Sequence, residues 1–170
     1  DGVAQSVDTA THGVIGYPRL SPDGTRVAFE WDRAVWIRDL AKRANFKFAT
    51  SLVADASYPA WTSDGRSVSY HTRDSSRFSL HIRRADGNSP ATPLLSTIPN
   101  LVESMWSPDG KWLVVRTGAA SEGAGDIYLV RASADTAPTA ILSSKYTEAL
   151  PTLSPDGKWL AFISNESGRY

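Results

Sequence analysis

One decapeptide is written four times in this chain, and that repetition limits the fold more than any other feature. It reads "LSPDGTRVAF" from Leu20 to Phe29, "WTSDGRSVSY" from Trp61 to Tyr70, "WSPDGKWLVV" from Trp106 to Val115 and "LSPDGKWLAF" from Leu153 to Phe162. Its Asp falls at Asp23, Asp64, Asp109 and Asp156, so the period is 41, then 45, then 47 residues. A repeat of roughly 40–45 residues fits either a four-stranded blade or a unit of a helical array. The local pattern decides between them.

Pro-Asp-Gly is turn chemistry: Pro presets φ, Asp bonds its own backbone, and Gly accepts positive φ. The residues after the turn alternate with period two: Val27/Phe29, Val68/Tyr70, Leu113/Val115 and Leu160/Phe162. Between each pair sits Ala28, Ser69, Val114 or Ala161, small enough for the opposite face to be buried as well. Strands covered on both faces are what stacked sheets require. Two residues before the turn's first strand ends, Pro18, Pro59 and Pro151 recur, with Ser104 in the remaining unit. Pro suits a strand edge and opposes a helix interior.

A third strand follows in "VWIRDL" (Val35–Leu40), "LHIRRA" (Leu80–Ala85) and "IYLVRA" (Ile127–Ala132), and a weaker fourth in "FKFAT", "TPLLS" and "TAILS". "IRDLAKRANF" is the best helical candidate, and it reads as a strand end plus turn. The fold class expected is therefore all-β: a β-propeller of four-stranded antiparallel blades, each decapeptide being the hairpin between a blade's first two strands. Residues 1–170 form one propeller region, an incomplete ring of about three and a half blades. Residues 1–9 are a leftover outer strand, which includes "VAQSV". Blades occupy 10–51, 52–97 and 98–144, and 145–170 is the first half of a further blade. The chain, which opens on Asp1, reads as a processed protein or a piece of a longer one. Such a piece is expected to leave two blade faces uncovered, and self-association through them is one way to cover them.

Composition narrows the partners. The formal net charge is zero, which argues against nucleic acid or an anionic membrane as the main partner. No apolar run reaches the length of a membrane span. There is no Cys, so disulfides and thiolate metal sites are excluded. His12, His71 and His81 make no metal-binding spacing, so no metal and no cofactor is expected. His81 reads as a packing residue. No G-x-S-x-G elbow or phosphate-binding loop occurs, and the chain itself is expected not to be an enzyme.

The repeated Asp residues read as turn-stabilising side chains rather than a ring of functional carboxylates. Of the six Trp, only Trp31 falls out of register, and it is expected to be exposed. The remaining functional signal is geometric. The first strand of each blade lines the channel, so Tyr17, Tyr58 and Glu103, with Arg19 and Glu148 close by, are the candidate binding residues at its mouth. They would meet a protein or a small ligand.

The motif "LSPDGKWLAF" followed by "IYLVRA" resembles the TolB-like, WD-repeat-like propeller repeat over almost the whole chain. "GYPRLSPDGTRVAFE", "SYPAWTSDGRSV", "ESMWSPDGKWLVVRTG" and "PTLSPDGKWLAFISNESGRY" are similar, more narrowly, to the C-terminal propeller of bacterial membrane-tethered serine/threonine protein kinases. That resemblance implies a sensor or binding module on the extracytoplasmic side. It carries over no catalytic residue, because no kinase motif is present. Related repeats form the non-catalytic propellers of prolyl-oligopeptidase-like peptidases, which implies an alternative role in gating substrate access. A cytoplasmic place stays open.

Overall fold

The computed structural model describes residues 13–49, 55–73, 78–95, 100–118, 125–132 and 137–168. The expected strand at Val3–Val7 and most of the loop between Arg116 and Asp126 lie outside these residues.

Each decapeptide folds as a hairpin, and each hairpin opens a separate antiparallel sheet. The first sheet is β1 (Gly16–Leu20), β2 (Arg26–Trp31), β3 (Ala34–Asp39) and β4 (Ala44–Ala49), hydrogen-bonded in that order. The second is β5 (Asp55–Trp61), β6 (Ser67–Arg73), β7 (Phe78–Arg84) and β8 (Thr92–Leu95). The third is β9 (Leu101–Trp106), β10 (Trp112–Thr117), β11 (Ile127–Arg131) and β12 (Thr139–Leu142). A two-stranded sheet of β13 (Glu148–Leu153) and β14 (Leu160–Ser164) ends the described chain. No helix forms among the described residues, and "IRDLAKRANF" is the end of β3, a turn and the start of β4. Among the described residues the architecture is an all-β propeller arc, open rather than closed into a ring.

The turns follow from their composition. In the first, Asp23 Oδ1 accepts from the Ser21 hydroxyl (2.6 Å) and the Thr25 amide (3.0 Å), while Ser21 Oγ accepts from the Arg26 amide (2.9 Å). The same three bonds recur around Asp64, Asp109 and Asp156. These donors hold all four carboxyls below their usual range, and Asp23 at about 2, with the neighbouring hydroxyl the largest cause in each. The turn needs a left-handed residue after Asp, and Gly110 supplies it at φ 70°.

Successive blades interlock through the alternation. Ala28, Val35, Ile37 and Phe48 of the first sheet pack with Trp61, Val68 and Tyr70 of the second. Leu80 and Leu95 of the second pack with Leu101, Leu113 and Val115 of the third. The small central residue of each decapeptide makes room for the next blade's first strand: Trp106 Nε1 donates to Ser69 Oγ at 3.0 Å. Trp61 Nε1 reaches back to the Arg19 carbonyl at 2.9 Å, and Arg26 returns the contact by lying 4.7 Å over the Trp61 ring. The turns themselves form a staircase, with the Pro22 ring against Gly65 and the Pro108 ring against Gly157.

Two features differ from the sequence reading or sharpen it. Trp31 is half-buried rather than exposed, because its ring packs 4.8 Å from that of Trp36, whose Nε1 donates to the Trp31 carbonyl. On the last sheet Phe162 and Ile163, which point to opposite faces of β14, stand 41% and 43% exposed, and Trp159 just before it 75%, so apolar side chains are uncovered on both faces among the described residues.

Candidate functional site

The first strands β1, β5, β9 and β13 stand side by side at the inner edge of the arc, each bonded to one neighbour only. Proline shapes three of them. A Pro lacks the amide that a ladder needs. In β1 two residues, Tyr17 and Pro18, therefore face the single residue Phe29 of β2, because Gly16 pairs with Glu30 and Arg19 with Ala28. Tyr58 and Pro59 bulge likewise opposite Tyr70, and Leu150 and Pro151 opposite Phe162. The residue before each Pro takes a left-handed conformation: φ is 50° at Tyr17, 50° at Tyr58 and 51° at Leu150. Where Ser104 replaces Pro the ladder continues through Ser104 opposite Val115 and Glu103 opposite Arg116, and the irregularity falls instead at Val102.

These bulges aim the side chains ahead of the Pro. The Tyr17 and Tyr58 rings lie 4.0 Å apart and their hydroxyls share a 2.9 Å hydrogen bond. Burial, then the bond from Tyr17, raises the Tyr58 pKa. Glu103 is buried and accepts from Arg116 Nε at 2.8 Å, while Arg116 also donates to the Gly118 carbonyl at 3.0 Å. The Leu150 amide, from the next blade, points at the same Glu103 oxygen at 3.3 Å.

Arg19, Tyr58 and Glu103 come together with Ser104, Met105 and Pro151 around a constriction of about 10 Å³. Tyr17 reaches this group through Tyr58. Glu148 stands apart: it is buried, its Oε1 accepts from Ser144, and its Oε2 has no hydrogen-bond partner among the described residues. The Asp residues of the four turns do not converge, each being bound to its own turn.

Toward the Pro-Asp-Gly turns residues of the four strands line a crevice of about 520 Å³. Leu20, Trp61, Trp106 and Leu153, which hold one position of the repeat, all line it. Arg19 and Met105 line both spaces. Of the residues before the Pro, Tyr58 borders the small space, while Tyr17 lines a separate one of about 780 Å³ with Gly16, Glu30, Trp31 and Arg33.

Sequence reasoning missed one set of residues. Glu30, His71 and Arg116 occupy a single repeat position, immediately after the decapeptide, and each faces a blade boundary. His71 is fully buried, with Nδ1 3.1 Å from the Leu101 carbonyl and Nε2 3.0 Å from Ser104 Oγ. A carbonyl only accepts, so Nδ1 carries the proton and Nε2 accepts from Ser104. Burial pushes the His71 pKa down to about 4. Burial, with the Asp55 charge, raises that of Glu30. The available signal was a polar residue that interrupts the apolar alternation at the same place in three units.

Among the described residues no group of three or more His, Asp or Glu side chains could hold a metal ion. The site can bind by shape, apolar contact and one guanidinium.

A family model described as the TolB beta propeller domain matches residues 1–170. The chain belongs to this TolB propeller family. Solved structures agree at the level of fold. TolB from Acinetobacter baumannii superposes with a TM-score of 0.73 at 18% identity, over 88% of this chain and 37% of that one. An oligogalacturonate lyase from Vibrio parahaemolyticus gives 0.68 at 16% identity, over 91% of this chain and 46% of that one. The dipeptidyl peptidase 4 of Porphyromonas gingivalis gives 0.64 at 16% identity, over 93% and 30%. This TolB-like chain therefore spans less than half the length of each of these three proteins. No curated protein matches it significantly in sequence. No helix among the described residues is long and apolar enough to cross a membrane.

Proposed function

We propose that this TolB-like propeller is a non-catalytic binding module, and that its inner crevice receives a segment of a partner protein. The observation that carries this reading is the crevice itself. Four equivalent positions of the repeat, Leu20, Trp61, Trp106 and Leu153, turn an apolar wall toward one space of about 520 Å³. That is within the roughly 300–1,000 Å³ of ligand-enclosing sites. The parent is a receptor-like serine/threonine kinase with this propeller on its extracytoplasmic side, a context supported by the four quoted decapeptide segments.

A second reading is favoured by the likeness to the P. gingivalis peptidase. In it the arc belongs to a propeller that gates a hydrolase domain, and the crevice passes substrate instead of holding a partner. A photo-crosslinking amino acid at Leu153 distinguishes both from a passive scaffold. Under the binding reading it captures partner protein that the same group at the outer-strand position Lys47 does not. Equal capture at both positions, or hydrolysis of a peptide ester by the chain alone, contradicts it.

A further inference from the structure

We propose that Arg19 anchors a carboxylate in the inner crevice, and that the ligand is the C-terminal end of a polypeptide whose last residues are apolar. This rests on the binding-module reading and names its ligand class.

Arg19 is the single charged residue among those lining the crevice, and no carboxylate lines it. None of the ion pairs among the described residues involves Arg19. Its side chain makes one long contact of 3.4 Å to the carbonyl of its own neighbour Pro18. Glu103, across the constriction, is engaged by Arg116 and by the Leu150 amide. A guanidinium against an apolar wall with no anion of its own selects a ligand that brings one, and its planar fork matches a carboxylate.

Shape argues for a chain end. Arg19 also borders a space of about 10 Å³, room for roughly one water molecule, whose other walls include Tyr58, Glu103 and Pro151. That space is too small for a polypeptide, so a chain lying in the crevice from the turn side is placed with its terminus beside Arg19. A second donor waits there. Two hydroxyl protons, those of Tyr17 and Tyr58, share one hydrogen bond, so one proton is left for an acceptor.

The backbone argues for a peptide over a small apolar acid. The crevice-side edges of β1, β5, β9 and β13 have no strand partner. A peptide main chain can bond to such edges, and its apolar side chains can meet Trp61, Trp106 and the two leucines.

The test uses a fluorescein-labelled pentapeptide ending in Leu-Trp-Leu, prepared as free acid and as amide, with anisotropy as the readout. The free acid is expected to bind about tenfold or more tightly than the amide. Arg19→Gln is expected to remove that preference and Arg19→Lys to keep part of it. Arg19 is exposed, so both variants should melt as the parent does. Equal binding of acid and amide, or a preference that survives in Arg19→Gln, overturns the anchor. Displacement of the peptide by millimolar octanoate overturns the polypeptide assignment and gives the site to a small apolar acid. Binding of neither peptide overturns the ligand class, while the crosslinking experiment at Leu153 decides the binding-module reading separately.

Discussion

His71 joins the second blade to the third through Ser104, whose hydroxyl lies 3.0 Å from the imidazole Nε2. With Nδ1 bound to the Leu101 carbonyl, the fully buried ring is held neutral. The folded pKa, about 4, lies below the ordinary 6.5. The unfolded chain therefore binds the proton first as pH falls. Stability from this residue is complete above pH 6.5 and declines as pH drops toward 4, by on the order of 3 kcal/mol at most. Urea unfolding at pH 7 and pH 5 should show this loss in the parent and a smaller one in His71→Gln. His81, whose pKa is lowered by burial, adds a slope of the same sign in both.

The Glu103–Arg116 pair should behave as a buried ion pair. Both side chains are under a tenth exposed. Removing one partner leaves a buried charge, so Glu103→Ala should cost about 3–5 kcal/mol, whereas Glu103→Leu with Arg116→Met should recover much of it. Denaturant midpoints of the single and double variants measure the difference.

Gly125 should not tolerate a side chain. A Cβ there would lie 2.7 Å from the Glu148 carbonyl oxygen, whose own amide donates to the Gly125 carbonyl at 3.0 Å. Gly125→Ala should pry the third sheet from the last one. Gly24→Ala is the control, since a Cβ at Gly24 meets nothing within 4 Å and carries only the strain of φ 71°. Thermal melts should fall clearly further for the first variant than for the second.

Leu150 offers the opposite sign. It holds φ 51° and is 53% exposed, so it bears left-handed strain with little packing in return. Leu150→Asn should raise stability by about 1 kcal/mol, because Asn accepts this conformation more readily. A lower melting temperature would contradict the strain argument.

The parts of this protein that were legible in the sequence are those whose causes are local. The turn, Ser-x-Asp-Gly in three copies and Thr-x-Asp-Gly in the second, is closed by bonds between residues two and five apart, so its four copies announce four hairpins. The small residue between two large ones announced a face for the next blade, as Trp106 over Ser69 illustrates. The bulges were half legible: Pro18, Pro59 and Pro151 marked them, but their effect on Tyr17 and Tyr58 needed the register. Glu103 was named as a mouth residue, yet its partner Arg116 becomes a neighbour only when β9 pairs with β10. His71 was illegible because both its partners lie across a blade boundary, 30 and 33 residues away. Arg19 was named for its place beside Tyr17, while its lack of an anion could be seen only once the crevice was lined.

The inner crevice as the binding surface is tested most directly by following the indole N–H signals of the six Trp during titration with the free-acid pentapeptide. The account predicts that Trp61 and Trp106 shift, with Trp36 and Trp159 unmoved. Shifts confined to Trp159 or to the outer strands, with Trp61 and Trp106 still, would contradict it.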